Sequence, residues 1–341
     1  MSYRLAINGL GRIGRSVLRA YFENAEFSGP DSGLEIVALN ELADIQTLAH
    51  LLRYDSTHGK FSGTVAVIGN HLLINGRQLS VSQIPELTLL PWQEHNIDLV
   101  LECTGSFSDR SNAEIHLLRG ARRMLFSQPA AADVDCTIVY GVNQQLLRRE
   151  HTIISNASCT TNCIVPVIKC LHDALGVECG VITTIHSAMN DQPVLDAYHH
   201  TDLRKTRSAF QSIIPVNTEL ARGIDRILPE LSGRFEAQAM RVPTVNVSAI
   251  DLSVVVNTNT SKEEINAIIR AASASMLPNV LAFTDEPLAS CDFNHDSRSA
   301  IVDLGQTRVS GKRLVKVLTW FDNEWAFANR MLDVARLLAR L

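Results

Sequence analysis

The chain has 341 residues, 46% of them apolar and 20% charged, with a net charge of −5 and seven cysteines. That length suggests about two domains, and the acidic balance gives no reason to expect nucleic-acid or membrane affinity. No apolar run approaches the ~18 residues a membrane span needs, and an odd number of irregularly spaced cysteines in so long a chain favours reduced thiols in a cytoplasmic protein.

The chain enters a strand pattern at once, Tyr3 to Ile7, with no signal-peptide core before it. Gly9-Leu10-Gly11-Arg12-Ile13-Gly14 follows, and then a helical pattern through Ile13, Val17, Leu18 and Phe22. Placed between a strand and a helix, this G-x-G-x-x-G predicts a dinucleotide site. Gly9 would make the tight turn, Gly11 would admit a pyrophosphate to the backbone, and Gly14 would let helix and strand pack closely. The phosphates would rest on the helix N-terminus. A glycine-rich structural turn is the plainer alternative. A second strand, Glu35 to Leu39, ends at Asn40-Glu41. A carboxylate at Glu41 can accept from ribose hydroxyls and would repel a 2′-phosphate, which argues for NAD over NADP. The runs 65–68 and 71–74, with Asn75-Gly76 after them, predict a small antiparallel excursion. Two buried parallel-type strands follow, 98–103 ending at Thr104-Gly105 and 123–126 ending at Ser127. Ligands of open α/β sheets lie beyond strand carboxyl ends, so Thr104, Gly105 and Ser127 are candidate cofactor-floor residues or ordinary turn residues.

The β-branched run Thr152-Ile153-Ile154 leads into Ser155-Asn156-Ala157-Ser158-Cys159-Thr160-Thr161-Asn162-Cys163 and then an apolar helical pattern. Ser158 is a good helix cap and places Cys159 in the first turn, where unpaired N–H groups favour thiolate over thiol. Cys159 is therefore a candidate nucleophile, although a free cysteine is often a small buried hydrophobe. Cys163 falls on the same helix face and is expected to be packed; no second ligand pair for a metal accompanies it. The strand 180–185 delivers His186 to its end, where it could serve as general base and hold the thiolate as an ion pair, or simply bond local backbone. From 193 to 214 runs a long, mostly irregular segment with His199-His200 and the cations Arg204, Lys205 and Arg207, a candidate anion site or a solvated face. Arg241 interrupts an apolar run, so a site-facing role is expected, because an unpaired buried guanidinium is costly. Helices are predicted at 261–277 and 327–341, and a strand at 314–319.

Five stretches together resemble the glyceraldehyde-3-phosphate dehydrogenase superfamily over essentially the whole chain. They are Ile7 to Arg15, Tyr54 to Gly59, Ser155 to Cys163, Arg241 to Val247, and Asp322-Asn323-Glu324-Trp325. The resemblance implies an α/β protein with an N-terminal Rossmann-type dinucleotide-binding domain (1–158 plus 323–341) and an α+β catalytic domain on a mixed or antiparallel sheet (159–322). It implies a homotetramer that takes NAD and a small phosphorylated aldehyde. Cys159 and His186 become the catalytic pair. The implied cofactor contacts are Asn8, Gly9, Gly11, Arg12, Ile13, Glu41, Thr104, Gly105, Ser127 and Asn323, the last on the nicotinamide carboxamide. The implied substrate contacts are Ser158, Thr160, Asp191, Arg204, Arg207, Thr218 and Arg241.

The chain departs from the glycolytic pattern at several of these places. Ala188 and Met189 stand where that pattern has an aromatic residue and a phosphate-binding threonine. Lys205-Thr206 replaces a glycine-rich stretch between paired arginines, and Glu219 replaces a glycine. The lost hydroxyl and the added carboxylate should weaken one of two anion sites. The run 186–192 is similar to the erythrose-4-phosphate dehydrogenase branch, whose thioester is hydrolysed to 4-phosphoerythronate, a precursor of pyridoxal phosphate. The competing readings are a phosphorylating glyceraldehyde-3-phosphate dehydrogenase, an aspartate-semialdehyde or acyl-phosphate reductase (which normally uses NADP), and a catalytically silent NAD-binding redox sensor.

Overall fold

The structure, a computed structural model, describes residues 2–199 and 201–341. Met1 and His200, the latter in the long loop singled out above, lie outside the described residues. By its internal contacts the chain divides into two units, Met1–Ser158 with Phe327–Leu341, and Cys159–Ala326. Asn323, assigned above to the cofactor domain, falls within the second unit.

The first unit is built on a nine-stranded sheet in the order Cys136–Thr137, Ile153–Ser155, Arg123–Phe126, Leu99–Glu102, Tyr3–Asn8, Leu34–Asn40, Arg77–Ser82, His71–Ile74 and Val65–Ile68. The first seven of these run parallel. Their apolar runs, such as the fully buried Leu5, Ala6 and Ile7, are covered on both faces as parallel strands require. The last two strands pair antiparallel. Asn75 and Gly76 both take positive φ and make the tight hairpin turn between His71–Ile74 and Arg77–Ser82. The connection from Tyr3–Asn8 goes to Leu34–Asn40 on one side, while Leu99–Glu102 pairs on the other. The carboxyl end of Tyr3–Asn8 is therefore the point where strand order reverses, the usual place for a ligand crevice.

A chain of buried polar groups lies under that point. Trp92 Nε1 donates to His116 Nδ1 (2.9 Å), and His116 Nε2 faces Glu102 Oε2 at 3.2 Å. Asn8 Nδ2 donates to the same carboxylate oxygen (2.6 Å), and Asn40 Nδ2 donates to Asn8 Oδ1 (2.9 Å). The other Glu102 oxygen accepts from the Thr104 N–H and hydroxyl. The last helix is tied to this unit by Arg123, which donates to the Leu338 carbonyl and the Tyr3 hydroxyl.

The second unit carries a mixed seven-stranded sheet in the order Ile214–Val216, Phe235–Val242, Val177–Ser187, Ser248–Val256, Leu314–Phe321, Ala300–Ser310 and Leu281–Thr284. Helices Cys159–Leu175, Leu220–Ile227 and Lys262–Ser275 pack on it. Ser261 caps the third, accepting from Glu264 N, one residue inside the predicted start. The final helix spans Trp325–Leu338 rather than 327–341, because the buried Asp322 carboxylate accepts the N–H groups of Glu324 and Trp325 and starts it early. Among the described residues no helix is long and apolar enough to cross a membrane.

Candidate active site

In the first unit the helix Arg12–Glu23 begins at Gly11 with no side chain capping it, the kind of helix end that favours an anion. Gly9 takes φ +86°, and a Cβ there would meet Thr104 at 2.8 Å. A Cβ on Gly14 would meet the Gly9 carbonyl oxygen at 2.0 Å, whereas one on Gly11 would point into open space. Gly9 and Gly14 are thus sterically required, whereas Gly11 has open space beside it, the room a pyrophosphate would need. Glu41 Oε2 accepts from Leu10 N (2.6 Å), fixing the carboxylate beside the glycine turn. Thr104, Gly105 and Ser127 lie just past the ends of neighbouring strands, with Thr104 and Gly105 exposed.

Two expected contacts are occupied otherwise. The Asn8 side chain is buried between Glu102 and Asn40 and faces away from any ligand. The Arg12 guanidinium pairs with Asp55 at 2.5 Å, which leaves Arg12 and Ile13 their backbone at the helix start. Burial opposes ionisation of Asp55, yet Arg12 and the N–H groups of His58 and Thr57 hold its carboxyl well below the usual range. That pairing accounts for the Tyr54–Gly59 motif.

In the second unit Cys159 opens the helix Cys159–Leu175. It follows Ala157, whose φ of +55° is unusual for a residue with a side chain and turns the chain sharply before the helix. His186 stands near the end of Val177–Ser187, paired in parallel with Phe235–Val242 so that His186 and Arg241 are register partners. The Cys159 sulfur lies 3.8 Å from His186 Nε2. On the other side of the ring, Nδ1 is 2.6 Å from Arg241 Nη1 and 2.9 Å from the Ser187 carbonyl oxygen. The Phe321 ring meets the imidazole edge-on. Cys159, His186 and Arg241 therefore form one group, while Cys163 is fully buried.

The electrostatics of this group differ from the expected ion pair. Burial pushes the Cys159 thiol up to about 11, against the pull of the Arg241 guanidinium and the N–H groups at the helix start. Burial, and then Arg241, draws His186 down to about 4. Desolvation outweighs the helix terminus at the half-buried Cys159, so the environment favours the neutral thiol and the neutral imidazole.

The remaining candidates are dispersed. Asp191 pairs with Lys205 at 2.9 Å, and its charge is felt at both His186 and Arg241. Arg207 pairs with Asp196 on the surface. Arg204 borders a surface cavity of about 470 Å³ with Lys205 and Asn217. Thr218 Oγ1 accepts from Leu220 N. Ser158 and Thr160 flank Cys159 and are half-buried. Asn323 Oδ1 accepts from the hydroxyls of Ser187 (3.0 Å) and Ser248 (2.9 Å). Because Ser248 Oγ also accepts from Ser187 N, its proton is committed to Asn323, and the Asn323 amide N–H pair is left to face a ligand. Ser187 and Ser248 were not read from the sequence. Their signal is polarity in strands that are otherwise buried.

Compared with known families, residues 3–110 match the description "glyceraldehyde 3-phosphate dehydrogenase, NAD binding domain". Residues 158–323 match "glyceraldehyde 3-phosphate dehydrogenase, C-terminal domain".

Proposed function

Because the chain belongs to the glyceraldehyde 3-phosphate dehydrogenase family, we propose that it oxidises D-erythrose 4-phosphate to 4-phosphoerythronate. The chain is an NAD-dependent oxidoreductase acting on phosphorylated aldehydes. The four-carbon, water-accepting reading is carried by the altered anion site. Met189 offers no hydroxyl, and Glu219 places a carboxylate at the start of Leu220–Ile227, paired with the exposed Arg222. An inorganic phosphate is disfavoured beside that carboxylate, which supports water as the acyl acceptor.

Cys159 Sγ adds to the aldehyde carbon while His186 Nε2 takes the thiol proton, so the high thiol pKa is met by transfer at the moment of attack. The proton passes to the new alkoxide, which the Cys159 N–H and His186 stabilise. NAD, when bound, supplies the hydride acceptor that converts the hemithioacetal to a thioester, and His186 takes the hydroxyl proton. After releasing that proton to solvent, His186 activates water to free the acid and restore the thiol. Arg241 and Thr160, with Arg204 or Arg207, hold the substrate phosphate; Asp191 orients the cations around it through Lys205. The family resemblance adds Ser158 and Thr218 to the substrate contacts and gives Asn323 the carboxamide.

The strongly exposed Val194, Leu195, Tyr198 and Leu203 support a partner chain over the 193–214 loop; that the partners make a homotetramer, and that it is cytoplasmic, is carried over from the family resemblance. The deciding assay is NADH production from erythrose 4-phosphate and from glyceraldehyde 3-phosphate, each with and without inorganic phosphate. Erythrose 4-phosphate should lead and need no phosphate. Strict dependence on inorganic phosphate would assign the phosphorylating reaction instead. Cys159→Ala should abolish turnover, and any retained turnover ends the covalent scheme.

A further inference from the structure

The two neighbours of His186 Nδ1 make opposite demands. Arg241 Nη1, at 2.6 Å, can only donate, so it requires an unprotonated Nδ1 and sends the ring proton to Nε2. The Ser187 carbonyl, at 2.9 Å, can only accept, so it requires Nδ1–H and leaves Nε2 its lone pair. Nε2 is the atom that faces the Cys159 sulfur. With Arg241 engaged, Nε2–H can donate to a thiolate or an oxyanion but cannot take a thiol proton. With Ser187 engaged, it can. The ring has little freedom to avoid this choice, since Phe321 packs on it and the strand register holds Arg241 opposite.

We propose that Arg241 is a latch on the tautomer of His186, and that the phosphate of the substrate opens it. The Arg241 fork has a donor to spare, because its buried Nε has no hydrogen-bond partner among the described residues. A dianion can therefore be gripped through two N–H groups at once, drawing Nη1 off the imidazole. Nε2 then loses its proton to solvent as Nδ1 gains one and bonds the Ser187 carbonyl, with no change in net charge. The base comes into its working form when a phosphorylated aldehyde is in place, which spends binding energy from a remote group on the reacting centre. This rests on Arg241 being the phosphate anchor and goes beyond it: an anchor holds substrate, whereas a latch sets whether the base can act.

The two roles separate with an aldehyde that has no phosphate. An anchor is irrelevant to D-glyceraldehyde, so with that role alone Arg241→Ala does not raise its turnover, and losing the guanidinium's pull on the Cys159 thiol lowers it. A latch predicts that Arg241→Ala raises kcat for D-glyceraldehyde roughly tenfold, well under the 10²–10⁴ a positioned base supplies. It also predicts that phosphite dianion, added in trans, raises the wild-type rate by a similar factor and does nothing to the variant. NAD binding by the variant checks its folding, and the wild-type phosphite arm stands without it. Unchanged or lowered turnover in a folded variant overturns the latch. So does wild-type indifference to phosphite that competes with the phosphorylated substrate. If Arg241→Ala keeps the wild-type KM for erythrose 4-phosphate, the anchor itself is wrong and the latch falls with it.

Discussion

Replacing Gly14 by alanine would place a methyl group 2.0 Å from the Gly9 carbonyl oxygen and 3.0 Å from its carbon. Both are backbone atoms, so no rotamer change relieves the overlap, and the glycine turn must move away from the helix. Overpacking of this kind costs about 2–3 kcal/mol, which in a unit of this size lowers Tm by about 6–10 °C. The displaced turn should also weaken NAD binding by about 10²-fold, or ~2.7 kcal/mol. Gly11→Ala is the control, because nothing lies within 4 Å of the added carbon and its φ of −65° suits any residue. Its stability cost should be only about 0.5–1 kcal/mol, yet NAD affinity should fall by about as much as in Gly14→Ala, since the methyl enters the space kept for phosphate. Calorimetry on both variants, melting and NAD titration, reads all four numbers. A Gly11→Ala protein that binds NAD like the wild type would refute the placement of the pyrophosphate on that backbone.

Three further outcomes are expected. His186, drawn below its ordinary 6.5 to about 4, stays neutral in the fold where the unfolded chain takes up a proton. Its contribution is full above pH 6.5 and is lost as the pH falls towards 4, by about 3 kcal/mol; denaturant titrations across that range should show a limb that His186→Gln removes. Alkylation of Cys159 by iodoacetamide should keep accelerating past pH 8.5 and level off only near 11, and a plateau by pH 8 would contradict the neutral thiol. Glu41→Ala should shift the NAD-to-NADP ratio of kcat/KM towards NADP by at least about tenfold, and an unchanged ratio removes Glu41 from cofactor choice.

The cofactor loop was legible because glycine spacing speaks about backbone, which local sequence controls: Gly9 and Gly14 meet the steric need their positions announced, and Gly11 has open space beside it. The strands Ala300–Ser310 and Arg77–Ser82 were not read. In the first, Asp303 and Gly305 break the apolar run, although Asp303 is buried and accepts from Trp320 Nε1. The second alternates weakly, with only Leu79 and Val81 inward. The grouping of Cys159 with His186 and Arg241 depended on resemblance, since strand register, not periodicity, sets Arg241 beside the imidazole. Ser187 and Asn323 meet across 136 positions, a pairing no window of sequence contains. The thiolate expectation was local reasoning from a helix end; desolvation is a property of everything packed around the sulfur.

Directionality runs through the buried polar chain beneath the glycine turn. An indole can only give a proton, so Trp92 forces His116 to receive at Nδ1 and to carry its hydrogen on the side of Glu102. Glu102, receiving from Asn8, settles which end of that amide is which, and Asn8 in turn settles Asn40. The Trp92 indole therefore sets which imidazole nitrogen is turned towards Glu102, while the carboxylate, which can only accept, sets the amide immediately ahead of Gly9. Exchanging Trp92 for phenylalanine would preserve the packing and release only the imidazole, since Asn8 stays pinned by Glu102 and Asn40 by the Ile84 backbone.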